Sequence, residues 1–175
     1  MIARSSRIVL ALAILPAAAA TQSVSGYGGF SFQRGEPDFH RGPHLGVALS
    51  LASASRVGAR LDLAYHTIDY SKFCAIPEGC AAPGSTGDAL HIIAATASIV
   101  LATQRDGHAG IFATTGAGVY AATESPNDGS YTRPGFHLGL GVRLGPGIFV
   151  EARYIEMIRP LTVRRLVPFT LGVRL

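Results

Sequence analysis

Tryptophan is absent from this chain, lysine occurs once (Lys72, against fourteen arginines), and charged residues make up only 15% of its 175 positions. Soluble domains usually carry about a quarter charged residues. Low hydrophobicity with high net charge, the signature of disorder, is also missing, since 48% of the residues are hydrophobic and the net charge is +4. Alanine, glutamate, lysine and leucine heptads are not present, which excludes a coiled coil. No basic run exceeds the pair Arg164-Arg165, so a sequence pI near 9.4 does not point to nucleic acid. No apolar stretch approaches the roughly 20 residues of a spanning helix. What is plentiful is glycine, at 21 residues, and the mean hydropathy is +0.31. The composition fits a membrane protein or a very apolar globular one.

Arg4 and Arg7 precede an apolar run from Ile8 to Leu15, which Pro16 breaks before the small residues Ala17 to Ala20. That order reads as a secretory signal peptide over residues 1–20, cleaved before Thr21. Losing Arg4 and Arg7 takes the net charge from +4 to +2. An oxidising compartment would let Cys74 and Cys80, the only cysteines, form a disulfide. The loop they would close is short, so the bond would stiffen it locally. Zinc is a poor alternative because two further ligands with suitable spacing are not evident nearby.

From Val24 onward the chain alternates with period two. Val167, Phe169, Leu171, Val173 and Leu175 share one face, and Pro168, Thr170, Gly172 and Arg174 the other. Phe136 to Leu144 repeats the pattern against His137, Gly139, Gly141 and Arg143, as do Val57 to Tyr65 and Leu45 to Leu51. Eight segments are expected, at 24–33, 44–53, 56–70, 88–103, 109–122, 135–144, 147–157 and 166–175. Long connections (34–43, 71–87, 123–134, 158–165) alternate with short ones, as in an up-and-down barrel whose long loops share one end. The expected fold is all-β: residues 21–175 form an eight-stranded antiparallel transmembrane β-barrel, greasy outside and polar within. A soluble, lipocalin-like barrel would reverse the faces. Residues 89–103 and 109–123 could instead form a helical hairpin, but each is short for a span and would leave open sheet edges in lipid.

The signal peptide, the eight-segment rhythm and the terminal stretch Leu166-Val-Pro-Phe-Thr-Leu-Gly-Val-Arg-Leu175 resemble the small bacterial outer-membrane barrels of the OmpA- and OmpX-like superfamily. The resemblance implies outer-membrane lipid and lipopolysaccharide as surroundings, and a last strand read by the barrel-assembly machinery. That strand usually ends in an aromatic residue, whereas this chain has Leu175. No functional motif and no peptidoglycan-binding domain accompany the likeness.

Chemistry is expected first in the lumen, where Asp62 and Glu151 would pair with Arg60, Arg143 and Arg153, while Arg143 and Arg174 lie toward the periplasmic end. Isolated ions there would cost several kcal/mol each, so pairing is needed, and a structural plug is the favoured reading. His40 and His44, with Asp38, have ligand chemistry, but Pro43 between them argues against a helical site, and no metal or other cofactor is expected. Some barrels of this size modify lipid with Ser and His; His66, Asp69, Ser71, His91 and Ser125 are the rim candidates, without a recognisable signature. Eight strands are too few for an open pore. Tyr70, Lys72, Phe73, Ile76, Tyr131 and Arg133 could form a surface contact site, although for Tyr70 and Tyr131 an aromatic girdle is the preferred reading. The expected role is structural or surface-interacting in the envelope, not enzymatic. The alternatives are a narrow channel or transporter for a small or hydrophobic solute, then a lipid-modifying enzyme or a lipocalin-like binder.

Overall fold

The structure, a computed structural model, describes residues 21–34, 39–52, 56–70, 88–104, 109–125, 129–158 and 164–175. Eight strands follow in chain order: β1 (Thr21–Arg34), β2 (Phe39–Ala52), β3 (Val57–Tyr70), β4 (Asp88–Ala102), β5 (Gly110–Ser125), β6 (Gly129–Arg143), β7 (Ile148–Met157) and β8 (Arg164–Arg174). Each pairs antiparallel with its neighbours, and β8 pairs with β1 from Ser25↔Arg174 to Gln33↔Leu166, which closes the barrel. The stretches that raised the helical alternative are β4 and β5. Among the described residues no helix is long and apolar enough to cross a membrane.

The register fixes the shape of the barrel. Cα partners lead once around from Ser23 through Ser50, Arg60, Ser98, Gly116, His137, Ile155 and Leu166 to Gln33, ten residues further along β1. With a rise of about 3.3 Å per residue and strands about 4.8 Å apart, that stagger tilts the strands by about 40° and gives a backbone radius of about 8 Å. Only side chains fit inside such a cylinder. Three inward aromatics make room for themselves opposite glycine: Tyr27 faces Gly46, Phe112 faces Gly141 and Phe149 faces Gly172 across neighbouring strands. A Cβ at any of these glycines would collide with the facing ring, the pairing of aromatic over glycine that pins register in barrels.

The outer surface is apolar. Leu45 and Leu140 are 64% and 63% exposed, and Val47, Leu61, Ile99, Leu138 and Leu171 stand out with them. On β4 the exposed face runs from Leu101 through Ile99 to Ile93, a climb of about 20 Å at this tilt, near the ~25 Å apolar band of membrane barrels. The lipocalin-like alternative requires the reverse and is overturned. A short turn joins β6 to β7: Leu144 N–H donates to Ile148 O (2.9 Å) around Gly145, whose φ of +148° suits glycine.

The strands reach further toward the long-connection end than the alternation indicates. β2 begins at Phe39 and β6 at Gly129, so His40, Tyr131 and Arg133 belong to strands and not to loops. Cys74 and Cys80, the signal-peptide stretch, Asp38, Ser71, Lys72, Phe73 and Ile76 lie outside the described residues.

Candidate functional site

The lumen is layered along the barrel axis. At the short-turn end, Arg143, Arg174, Phe112 and Phe149 line a cavity of about 50 Å³ together with Ser25 and Ser50. Arg143 lies over the Phe112 ring, 5.4 Å from its centroid.

Above it sits a buried ionic quartet. Arg60 and Asp62 come from β3, and Glu151 and Arg153 from β7, four strands away and hence across the barrel. Arg60 Nη2 stands 2.7 Å from Asp62 Oδ1, and its Nη1 donates to Glu151 Oε2 at 2.9 Å. Arg153 donates from Nε to Glu151 Oε1 (2.7 Å) and from Nη2 to Asp62 Oδ1 (3.0 Å) and Glu151 Oε2 (3.0 Å). The Thr114 hydroxyl adds a bond to Glu151 Oε1 at 2.8 Å. Two guanidinium and two carboxylate groups leave the cluster formally neutral, as a buried charge set requires. Tyr27 and Phe149 flank the Arg60 guanidinium with ring centroids at 5.4 and 5.3 Å, adding cation–π attraction in a desolvated setting. The backbone of Gly139 gives the quartet space, since a Cβ there would meet Glu151 Oε1 at 2.8 Å and Arg153 Cγ at 3.0 Å. The described pairings thus join Arg60, Asp62, Glu151 and Arg153; Arg143 and Arg174 stand lower, at the cavity.

A histidine layer comes next. The Ser31 hydroxyl lies 2.8 Å from His66 Nδ1 and 3.2 Å from His44 Nδ1. Having one proton, it donates to one ring and accepts from the other. The rings stack with centroids 5.2 Å apart, and His44 Nε2 meets Thr170 Oγ1 at 3.0 Å. His137 Nε2 meets Ser98 Oγ at 2.9 Å. This layer corrects the sequence reading of His66 as a rim residue, because it is 3% exposed inside the barrel. It also separates His40 from His44: four residues along an extended strand are about 13 Å apart, so the two imidazoles do not share a ligand position. Among the described residues there is no cluster of three or more His, Cys, Asp or Glu able to hold a metal.

The long-connection end of the lumen is apolar. Ile68, Leu90, Ile92, Tyr120, Met157 and Leu166 are wholly buried and pack together. Tyr131 packs against this cluster from inside, with Arg133 5.8 Å over its ring, so the expectation of a girdle or surface position for Tyr131 is overturned. Of the other rim candidates, His91 stacks on Tyr65 outside the barrel, with Nδ1 2.8 Å from the Tyr65 hydroxyl. Asp69 is exposed on β3, and Ser125 ends β5. His91 and His66 therefore lie on opposite sides of the wall and cannot act together. Sequence reasoning missed Tyr27, Ser31 and Thr114 as lumen partners, though their parity along β1 and β5 is a usable signal.

A greasy exterior, a register shift of ten and a lumen filled by side chains define the class: a small eight-stranded transmembrane barrel with a packed interior. No protein-family profile and no curated protein matches the sequence. Solved structures share its fold. Neisserial surface protein A superposes with a TM-score of 0.60 at 16% identity, over 90% of this chain and 99% of that one. Ail, the attachment invasion locus protein of Yersinia pestis, solved with the heparin analogue sucrose octasulfate, gives 0.55 at 15% identity over 89% and 99%. Transmembrane β-barrels designed de novo give 0.50 at 10% identity over 87% and 95%. At such identities the shared property is the fold.

Proposed function

We propose that this chain is exported, loses residues 1–20 and spans the bacterial outer membrane as a rigid, non-conducting and non-catalytic barrel. Its work is structural or lies in contacts at the cell surface. The observation that carries this reading is the filled lumen: an ionic quartet crosses it and an apolar cluster caps it, while the apolar face points outward. A passage for solutes would need polar space running the full height. With the interior committed to packing, surface chemistry falls to the strand ends and connections at the end where β3 and β4 are joined, the connection 71–87 being the longest between strands. Ail bound to a heparin analogue supports ligand contact by a barrel of this size. Outer-membrane lipid and lipopolysaccharide are the surroundings in this reading. β8, apolar on its outer face, is the strand offered to the assembly machinery.

The test is migration on a gel with and without boiling, outer-membrane fractionation, and conductance in a planar bilayer. A fast-migrating band that slows on boiling, recovered from the outer membrane without stepwise current, is the expected result. Discrete conductance steps would replace the reading with transport, and a soluble periplasmic protein without a shift would refute it. N-terminal sequencing of the recovered band should begin at Thr21.

A further inference from the structure

Directly above the quartet lies a second cavity, of about 20 Å³, lined by residues that include Tyr27, Asp62, Thr96, Tyr120 and His137. Each of these five carries a buried polar atom without a protein hydrogen-bond partner: Tyr27 Oη, Asp62 Oδ2, Thr96 Oγ1, Tyr120 Oη and His137 Nδ1. Tyr27 and Asp62 face one another in a loose polar contact that falls outside hydrogen-bond geometry at both Tyr27 Oη and Asp62 Oδ2. Buried polar groups in folded proteins are nearly always paired, because an orphan bears its desolvation cost uncompensated. Five orphans around one small space, where scattered ones would need five separate explanations, point to a shared occupant.

We propose that this cavity is a binding site for internal water, holding one or two molecules that join the ionic quartet to the histidine layer. Size selects the occupant: a water needs about 10–15 Å³ of such volume, so 20 Å³ admits one or two and no larger guest. Chemistry selects it as well. The site offers a carboxylate oxygen as acceptor, three hydroxyls able to donate or accept, and an imidazole nitrogen in either role. Water, with two donors and two acceptors, matches that mixture. A cation would be opposed by Arg153, which lines the same cavity, and an anion by Asp62. The apolar cluster lies above the water and the quartet below, so slow exchange with solvent is the expected behaviour. This inference concerns the interior alone and holds whichever role the surface has.

Two measurements on the intact barrel in lipid nanodiscs test it. Oxygen-17 relaxation dispersion should count one or two water molecules with residence times beyond the tumbling time. Selective water-to-protein cross-relaxation should reach the His137 ring and the Tyr27 and Tyr120 hydroxyls. The variants Tyr27→Phe and Thr96→Val each delete one partner while keeping shape, and should shorten the residence time at least several-fold with the barrel still folded. No long-lived water in the native protein would overturn the proposal. So would long-lived water that gives no cross-relaxation to His137, Tyr27 or Tyr120. The native measurement decides the question even if a variant fails to fold.

Discussion

Replacing Glu151 by Gln probes the quartet at its most connected point. Glu151 is 1% exposed and accepts four hydrogen bonds, one from Arg60, two from Arg153 and one from Thr114. Glutamine keeps the volume but offers a single acceptor oxygen, and its amide group places a donor against guanidinium donors. The two arginines then share Asp62 alone, and the cluster acquires one uncompensated positive charge. Removing one partner of a buried pair typically costs about 3–5 kcal/mol. At an m-value of about 2 kcal/mol/M in urea this lowers the unfolding midpoint by about 1.5–2.5 M. The assay is urea unfolding of the barrel in lipid vesicles, read by the heat-modifiable band shift. The control is Glu156→Gln, which touches Tyr154 at 2.7 Å and the half-exposed Arg165 at 3.7 Å near the rim and should cost about 1 kcal/mol or less. An E151Q midpoint that moves no further than the E156Q midpoint, at equal slope, would refute the claim that the quartet holds the barrel.

Gly139→Val inserts two methyls and a Cβ into the space beside Glu151 and Arg153, and should destabilise by about 1–3 kcal/mol despite valine's higher strand propensity; a gain in the same urea assay would contradict the packing. Val47→Arg, 53% exposed and in the middle of β2, should cost about 2–4 kcal/mol in vesicles as a charge near the bilayer midplane, and a neutral result would mean that lipid does not cover that face. Cys74 and Cys80 should resist alkylation in protein recovered from the envelope until a reductant is added, and immediate labelling of both thiols would rule out the bond.

The alternation was legible wherever the wall separates two different surroundings. In β8, Phe169, Leu171 and Val173 face outward while Thr170 and Gly172 face in, so polarity flips at every residue and the sequence shows it. Toward the long-connection end that contrast disappears. Outward positions there, such as Arg41 and Asp69, stand above the apolar belt and are polar, while inward ones such as Ile68, Leu90 and Met157 are apolar. Hydrophobic periodicity therefore stops before the ladder of hydrogen bonds does, which is why β2 and β6 begin earlier than the pattern suggests and why His66 reads as a rim residue. The quartet was half legible for a related reason. Parity puts Arg60, Asp62, Glu151 and Arg153 inside, but which arginines meet which carboxylates depends on the stagger of ten residues around the barrel, a property of all eight registers together.

The same layering says where the specificity of this fold resides. Against lipid, Leu45 or Leu140 is as well solvated as against protein, so the outer face sets membrane insertion and contributes little to choosing one register over another. Inside, a slip of one residue between β3 and its neighbours would turn Arg60 and Asp62 out into hydrocarbon and leave Glu151 and Arg153 without their partners. A slip of two would keep parity but break the Tyr27–Gly46 match or move the carboxylates off the guanidinium groups. Each wrong register thus strands at least one buried charge or forces a ring against a Cβ, at several kcal/mol apiece. The polar interior acts chiefly by penalising alternatives, and that selectivity is what E151Q and G139V weaken from two directions.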